Sequence, residues 1–225
     1  MIICHRVNTI EKLKRIPEKY GVEIDVRFDT GSGRLYLHHD NQSGKSLEAC
    51  AFLDDYLKHY HHRFVIFNIK DTGTEQACID LAAQFNIPKE NYFLLDVEFP
   101  YVFYATRDTD RAGNKKVPVR EIAIRYSEAE PIEQALVFKR DRNSPTKPIV
   151  DWVWIDTNTV LPLDKNIVTQ LEGFLTCLVC PERWGRPQDI EQYAQKIKAL
   201  NFKLDAVMTA LEYATVREES GAVRI

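Results

Sequence analysis

GVEIDVRFDTGSGRLYLHHDN, residues 21–41, decides the fold. Its first half alternates carboxylates with apolar residues, the period-two pattern of a strand that presents one polar and one apolar face. TGSG then supplies a turn, and RLYLHH returns from it as a short extended arm. Working outward, IICH before this stretch and FVIFNIK after it also read as strands, each separated from it by a helical segment. TIEKLKRIPEKY carries Thr9 as N-cap and Pro17 as a break, while Ser46 caps SLEACAFLDDYLKHY.

The alternation continues to the end of the chain. YFLLDV, EIAIRY, DWVWID, FLTCLVC and LDAVMT supply five more strands, and helix-period segments lie between them. In TEQACIDLAAQF, Ala77, Cys78, Leu81, Ala82 and Phe85 share a face. Pro131 stands near the first turn of one later helix, and LDKNIVTQLEGF reads as another. Pro187 opens a third, in which Ile190, Tyr193, Ala194, Ile197 and Leu200 line up. Eight strands alternating with helices predict an α/β fold, a (β/α)8 TIM barrel, as a single domain over residues 1–225. An open doubly wound sheet is the alternative, but no glycine-rich phosphate loop follows any strand. RDTDRAGNKKVP, 107–118, reads as a mobile polar loop, and the tail 217–225 as frayed.

Bulk composition narrows the function classes. With 225 residues, 44% hydrophobic and 28% charged, the chain is an ordinary globular protein, and its net charge of −3 argues against a nucleic-acid partner held by bulk charge. No apolar run reaches membrane-span length, so no integral membrane segment is expected, and the start MIICHRVN has the form of no signal peptide. Five cysteines, an odd number without dense spacing, suit a reducing, cytoplasmic setting. Cys177 and Cys180 form a C-x-x-C, but inside a strand they point to opposite faces and read as buried thiols.

Chemistry in a barrel gathers at the C-terminal strand ends. This chain puts His5 and Arg6, Glu23 and Asp25, Asn68 and Lys70, and Asp96 and Glu98 there. Arg125, Asp156, Glu182 and Arg183 follow on later strands. Glu23 and Asp25 are two apart and share a face, as do Asn68 and Lys70. Paired carboxylates suit a hard cation, Mg2+ or Ca2+. His38 and His39 point apart along an extended arm, so one of them faces the site, and Asp40 can orient a neighbouring imidazole. His59, His61 and His62 end a helix and read as solvated caps.

The order H-R, N-T, E-I-D-V, H-H-D, N-I-K resembles the glycerophosphodiester phosphodiesterases and their wider superfamily. Later strands FLTCLVC and LDAVMT extend the likeness. The resemblance implies a metal-dependent phosphodiesterase in which His5 and His39 are the acid–base pair. Glu23, Asp25 and Asn68 would then bind the divalent cation, and Arg6 and Lys70 would hold the phosphate. The implied partner is a small or lipid-derived phosphodiester, and the implied setting is lipid metabolism. Three departures qualify it. Val7 replaces a glycine, and Asn68 stands where a carboxylate is expected, so that Asp96 or Glu98 would have to complete the metal shell. The insertion after HHD is nearly absent, which leaves a more open mouth. A catalytically weak barrel that binds a phosphorylated ligand or partner is the alternative reading; a lyase or isomerase of a sugar phosphate is a third.

Overall fold

The computed structural model describes residues 1–42, 45–139 and 148–219. The chain divides into two compact units, Ile3–Val97 and Met1–Ile2 with Glu98–Ile225, taken here in turn.

In the N-terminal unit, strand β1 (Ile2–Cys4) pairs in parallel with β2 (Gly21–Asp29), which pairs in parallel with β5 (Val65–Ile69) and through it β6 (Tyr92–Leu95). Val22, Ile24 and Val26 of β2, and all of β5 and β6, are buried, as expected of parallel strands covered on both faces. Gly21 opens β2 for a steric reason: a Cβ there would stand 2.4 Å from Ile3 Cδ1 and 2.9 Å from the Phe64 carbonyl. β2 runs nine residues, long enough to outreach its parallel partners. Its distal half pairs antiparallel with β3 (Arg34–Leu37), which pairs antiparallel with β4 (Ala51–Phe52). Asp29 builds the connecting turn by accepting from the Gly31 and Ser32 amides, and Gly33 takes the left-handed conformation the turn needs.

The helices of this unit are shorter than the sequence suggests. Thr9 caps α1 (Ile10–Leu13) through the Lys12 amide, but the helix ends well before Pro17. α2 (Leu53–Leu57) starts seven residues beyond Ser46, because residues 51 and 52 are taken up as a third strand of the hairpin sheet. α3 (Glu75–Gln84) keeps Cys78 and Ala82 on its buried side, while Ala77 is exposed. His62 is not a solvated cap: it is half-buried, its Nε2 donates to the Ile16 carbonyl (3.0 Å), and burial lowers its pKa.

The C-terminal unit begins with α4 (Phe99–Ala105) and carries β7 (Ala123–Tyr126), β8 (Trp152–Ile155), β9 (Leu175–Val179) and β10 (Ala206–Thr209), paired in parallel in that order. The Val207 amide donates to the Met1 carbonyl. Between strands lie α5 (Glu133–Leu136), α6 (Lys165–Leu171), which Asp164 caps, and α7 (Asp189–Ala199). α7 buries Ile190, Tyr193, Ala194 and Ile197, four of the five residues its periodicity selects. Cys177 and Cys180 are both buried, and no disulfide joins any of the five cysteines. Residues 107–118 are tied into turns by a Thr109–Lys115 bridge. The end of the chain differs from the expected frayed tail: α8 (Ala214–Glu219) buries Arg217, whose guanidinium pairs with Glu182 at 3.3 Å. Residues 220–225 of that tail lie outside the described residues. All eight segments read as barrel strands from the sequence are strands, and all lie in parallel ladders.

Candidate functional site

The N-terminal unit collects its polar side chains at the C-terminal ends of β1, β2, β5 and β6. Strand parity does the work. Glu23 and Asp25 project from one face of β2, Asn68 sits opposite Asp25 in the ladder, and all three are buried. Asn68 Nδ2 donates to Glu23 Oε1 at 2.7 Å and to Asp25 Oδ1 at 3.3 Å, so one amide bridges both carboxylates. Lys70 Nζ stands 3.5 Å from Asp25 Oδ1 and 3.2 Å from Asp96 Oδ2. Burial first, and the Asp25 charge second, push the Glu23 carboxyl up to about 7; the Asn68 amide, the Arg6 amide and the Lys70 ammonium act against that rise.

β1 delivers His5 and Arg6. His5 Nε2 lies 3.8 Å from Glu23 Oε2. Arg6 takes a left-handed backbone (φ 51°), which aims its amide at Glu23 Oε2, 2.8 Å away. Its guanidinium forms no ion pair among the described residues, and its Nε is buried without a hydrogen-bond partner. Asn8 then fastens β1 to β2 twice: it accepts from the Asp25 amide and donates to Asp25 Oδ2, both at 2.8 Å.

The two histidines of the arm differ in what they do. His38 Nδ1 is held within its own loop, 3.0 Å from both the Asp40 amide and the Gln42 side-chain amide. His39 Nδ1 stands 2.7 Å from Asp40 Oδ1, the orientation expected of Asp40, while its Nε2 has no hydrogen-bond partner among the described residues. That side chain is 40% exposed. The Arg6 charge reaches Asp40 and helps hold its carboxyl below the usual range, after the larger effect of the His39 hydrogen bond.

Arg27 is the residue that motif reading passes over. Its guanidinium donates to the carbonyls of His38 (3.2 Å) and His39 (2.8 Å) and to Asp71 Oδ1 (2.7 Å), and Asp71 in turn accepts from the Phe28 amide. This clamp fixes the backbone from which His39 projects. The signal was in the sequence: Arg27 continues the parity of Glu23 and Asp25 on the same strand face. Asn8 was visible only as part of N-T.

A hard-cation set can be tested on these atoms. No group of three or more His, Cys, Asp and Glu among the described residues could hold a metal ion. Asn68 Oδ1, however, is buried without a hydrogen-bond partner. Turning the amide about its last torsion exchanges Oδ1 for Nδ2 with no change of shape. The oxygen then joins Glu23 Oε1 and Asp25 Oδ1, three oxygens whose mutual repulsion a bound cation, or a proton on Glu23, would offset. The donor set therefore fits Mg2+ or Ca2+, with two formal charges rather than three. Asp96 is committed to Lys70, and Glu98 belongs to the C-terminal unit as the residue preceding α4.

The C-terminal unit has its own polar strand ends. Arg125 pairs with Glu130 (2.6 Å) and Asp156 (3.1 Å), Asp156 accepts from the Trp184 indole (2.9 Å), and Glu182 accepts from Thr209 and Arg217.

No protein-family model matches the chain, and no curated protein does. Among solved structures it is similar to a glycerophosphodiester phosphodiesterase from Agrobacterium tumefaciens, with a TM-score of 0.56, 15% identity, and coverage of 92% of this chain and 95% of that one. At that identity the likeness shows the fold, the α/β barrel class that the eight alternating strands predict.

Proposed function

We propose that this chain is a phosphoric diester hydrolase, acting on a small or lipid-derived phosphodiester. One observation carries the reading: Arg6, whose backbone amide bonds Glu23, forms no ion pair with its guanidinium among the described residues, and its Nε is sealed from water and unpartnered. A half-buried cation without a carboxylate partner is costly unless an anion completes it, and a phosphate is the anion that matches its planar donors. The similar solved structure is that of a glycerophosphodiester phosphodiesterase, which agrees with this reading.

His5 and His39 form the acid–base pair. Asp40 holds the proton on His39 Nδ1 and leaves Nε2 as the lone pair that takes a proton from the attacking hydroxyl. His5 delivers a proton to the leaving oxygen. Arg6 binds the phosphate; Lys70, already between Asp25 and Asp96, balances charge around it. Glu23, Asp25 and Asn68 hold Mg2+ or Ca2+, which when bound offsets charge on the phosphoryl oxygens. A cytoplasmic setting and a place in lipid metabolism belong to the same reading, the first supported by five cysteines without a disulfide. No helix among the described residues is long and apolar enough to cross a membrane.

A second reading, a barrel that binds a phosphorylated ligand with little turnover, is favoured by the Asn68 bridge, which already gives both carboxylates a hydrogen-bond donor, while Lys70 balances the charge of Asp25. A panel of glycerophosphodiesters and an aryl phosphodiester, assayed with Mg2+, Ca2+ or Mn2+ and again with EDTA, separates the two. Alcohol release that chelation abolishes is the expected result. Calorimetric binding of the same diesters without release supports the second reading. Neither release nor binding refutes both.

A further inference from the structure

α4 buries only Val102 and Ala105. Its other side exposes Phe99 (61%), Phe103 (37%) and Tyr104 (44%), whose rings touch in sequence, Phe99 to Phe103 at 6.0 Å and Phe103 to Tyr104 at 5.3 Å between centroids. Val117, in the loop that follows, is 75% exposed. Two guanidinium groups lie over these rings: Arg107 Cζ is 3.9 Å from the Phe103 centroid, and Arg111 Cζ is 4.4 Å from that of Tyr104. The loop is built onto the helix. Lys116 donates to the Tyr104 and Ala105 carbonyls at the helix end, its amide donates to the Asp108 carbonyl, and the Val119 amide donates to Ala105.

Charge on this surface runs opposite to the chain. Residues 99–118 hold four basic side chains, Arg107, Arg111, Lys115 and Lys116, against Asp108 and Asp110, while the whole protein is at −3. Asp110 stays exposed, but its carboxylate is engaged within the loop, accepting from the Ala112 and Asn114 amides and the Asn114 side chain. Glu98 precedes the helix.

We propose that α4 and the 107–118 loop dock this protein on an anionic lipid surface. Exposed rings with guanidinium groups laid over them combine the two chemistries such a surface recognises. Aromatic rings settle at the boundary between headgroups and acyl chains, and cations meet lipid phosphates. Seven helical residues bury too little to anchor permanently, so the docking is reversible. A protein surface or a second copy would also cover the rings, but a lipid surface alone presents a layer for rings to enter and a dense array of phosphates for the basic groups at the same depth. The inference goes beyond the proposed function and stands whether or not the N-terminal unit turns over a diester.

The test uses the full chain and two kinds of extruded vesicle, phosphatidylcholine alone and phosphatidylcholine with phosphatidylglycerol, in a flotation assay. Binding to the mixed vesicles only, released by salt, is expected. R107E/R111E should lower partitioning by roughly 25-fold or more, because each basic group near an anionic surface contributes about fivefold. F99S/F103S should lower it at least about tenfold through lost apolar insertion. Thermal melts confirm that the variants fold; should F99S/F103S fail, the exposed arginines and F99S alone carry the test. Equal binding to both vesicles, no binding to either, or unchanged partitioning of R107E/R111E overturns the proposal. So does a concentration-dependent dimer, seen by sedimentation, that the ring substitutions abolish while vesicles are ignored.

Discussion

Asn68→Asp probes the centre of the site. Asn68 Nδ2 donates to two buried carboxylates, at 2.7 and 3.3 Å. Hydrogen bonds to charged groups contribute about 1.5–3 kcal/mol each, and the longer one belongs at the low end, so the bridge is worth about 4 kcal/mol. Aspartate removes both bonds and adds a third carboxylate at a position only 6% exposed. For a chain of this size, each kcal/mol moves the melting temperature by about 2–4 °C. In EDTA, then, Asn68→Asp should melt roughly 10 °C below the parent protein. Adding cation should reverse much of that loss. Three carboxylates bind Mg2+ or Ca2+ more tightly than two and an amide, and saturation to a hundred times Kd returns about 2.7 kcal/mol. The assays are thermal melts of both proteins in EDTA, Mg2+ and Ca2+, with calorimetric titration of each cation. Equal melting temperatures in EDTA would mean that the amide does not bridge two ionised carboxylates. Unchanged cation affinity would place Asn68 outside the coordinating shell.

Other perturbations test the surroundings. Glu23 has a folded pKa raised to about 7 from an ordinary 4.5, so the folded state holds the extra proton between those values, and stability should fall as pH rises from about 4.5 to 7. Melts in EDTA across that window should show the slope, and Glu23→Gln should flatten it; a slope that survives the substitution assigns it to another group. His5→Ala or His39→Ala should each lower kcat by roughly 10²-fold, the usual scale for losing a general acid or base, and full activity in either variant removes that histidine from the chemistry. Arg27→Met should release the His38–His39 backbone and lower kcat with little change in KM, read from steady-state kinetics; a change in KM alone would make Arg27 a substrate-binding group instead.

The strands were legible because each carries its own pattern. β2 announces itself by alternation, and β5 and β6 by continuous apolar runs. The helices were less so, since propensity does not say where tertiary packing stops them: α2 yields residues 51 and 52 to the hairpin sheet. In the site, parity on β2 and β5 brings Glu23, Asp25 and Asn68 together, which period two dictates. What pairs with what was hidden. The double bond of Asn8 to Asp25 and the Arg27 clamp on the arm depend on strand neighbours and loop closure, not on spacing within one segment. Arg217 was read as part of a frayed end because a charged tail looks solvated; its partner Glu182 lies 35 residues away in sequence.

Among the described residues, four non-glycine residues adopt left-handed backbone: Arg6, Asn86, Asp96 and Asn201. Asparagine enters that region cheaply, and aspartate nearly so, through local hydrogen bonding. Arginine gains no such relief and is about 1 kcal/mol worse off there than glycine. Arg6→Gly would therefore relax the turn at the end of β1 while keeping the amide that serves Glu23. It would also delete the guanidinium. On the proposed function, the turn after the first strand thus holds a residue whose backbone works against the fold and whose side chain would serve the ligand, so a screen for thermostability and a screen for turnover should pull position 6 in opposite directions.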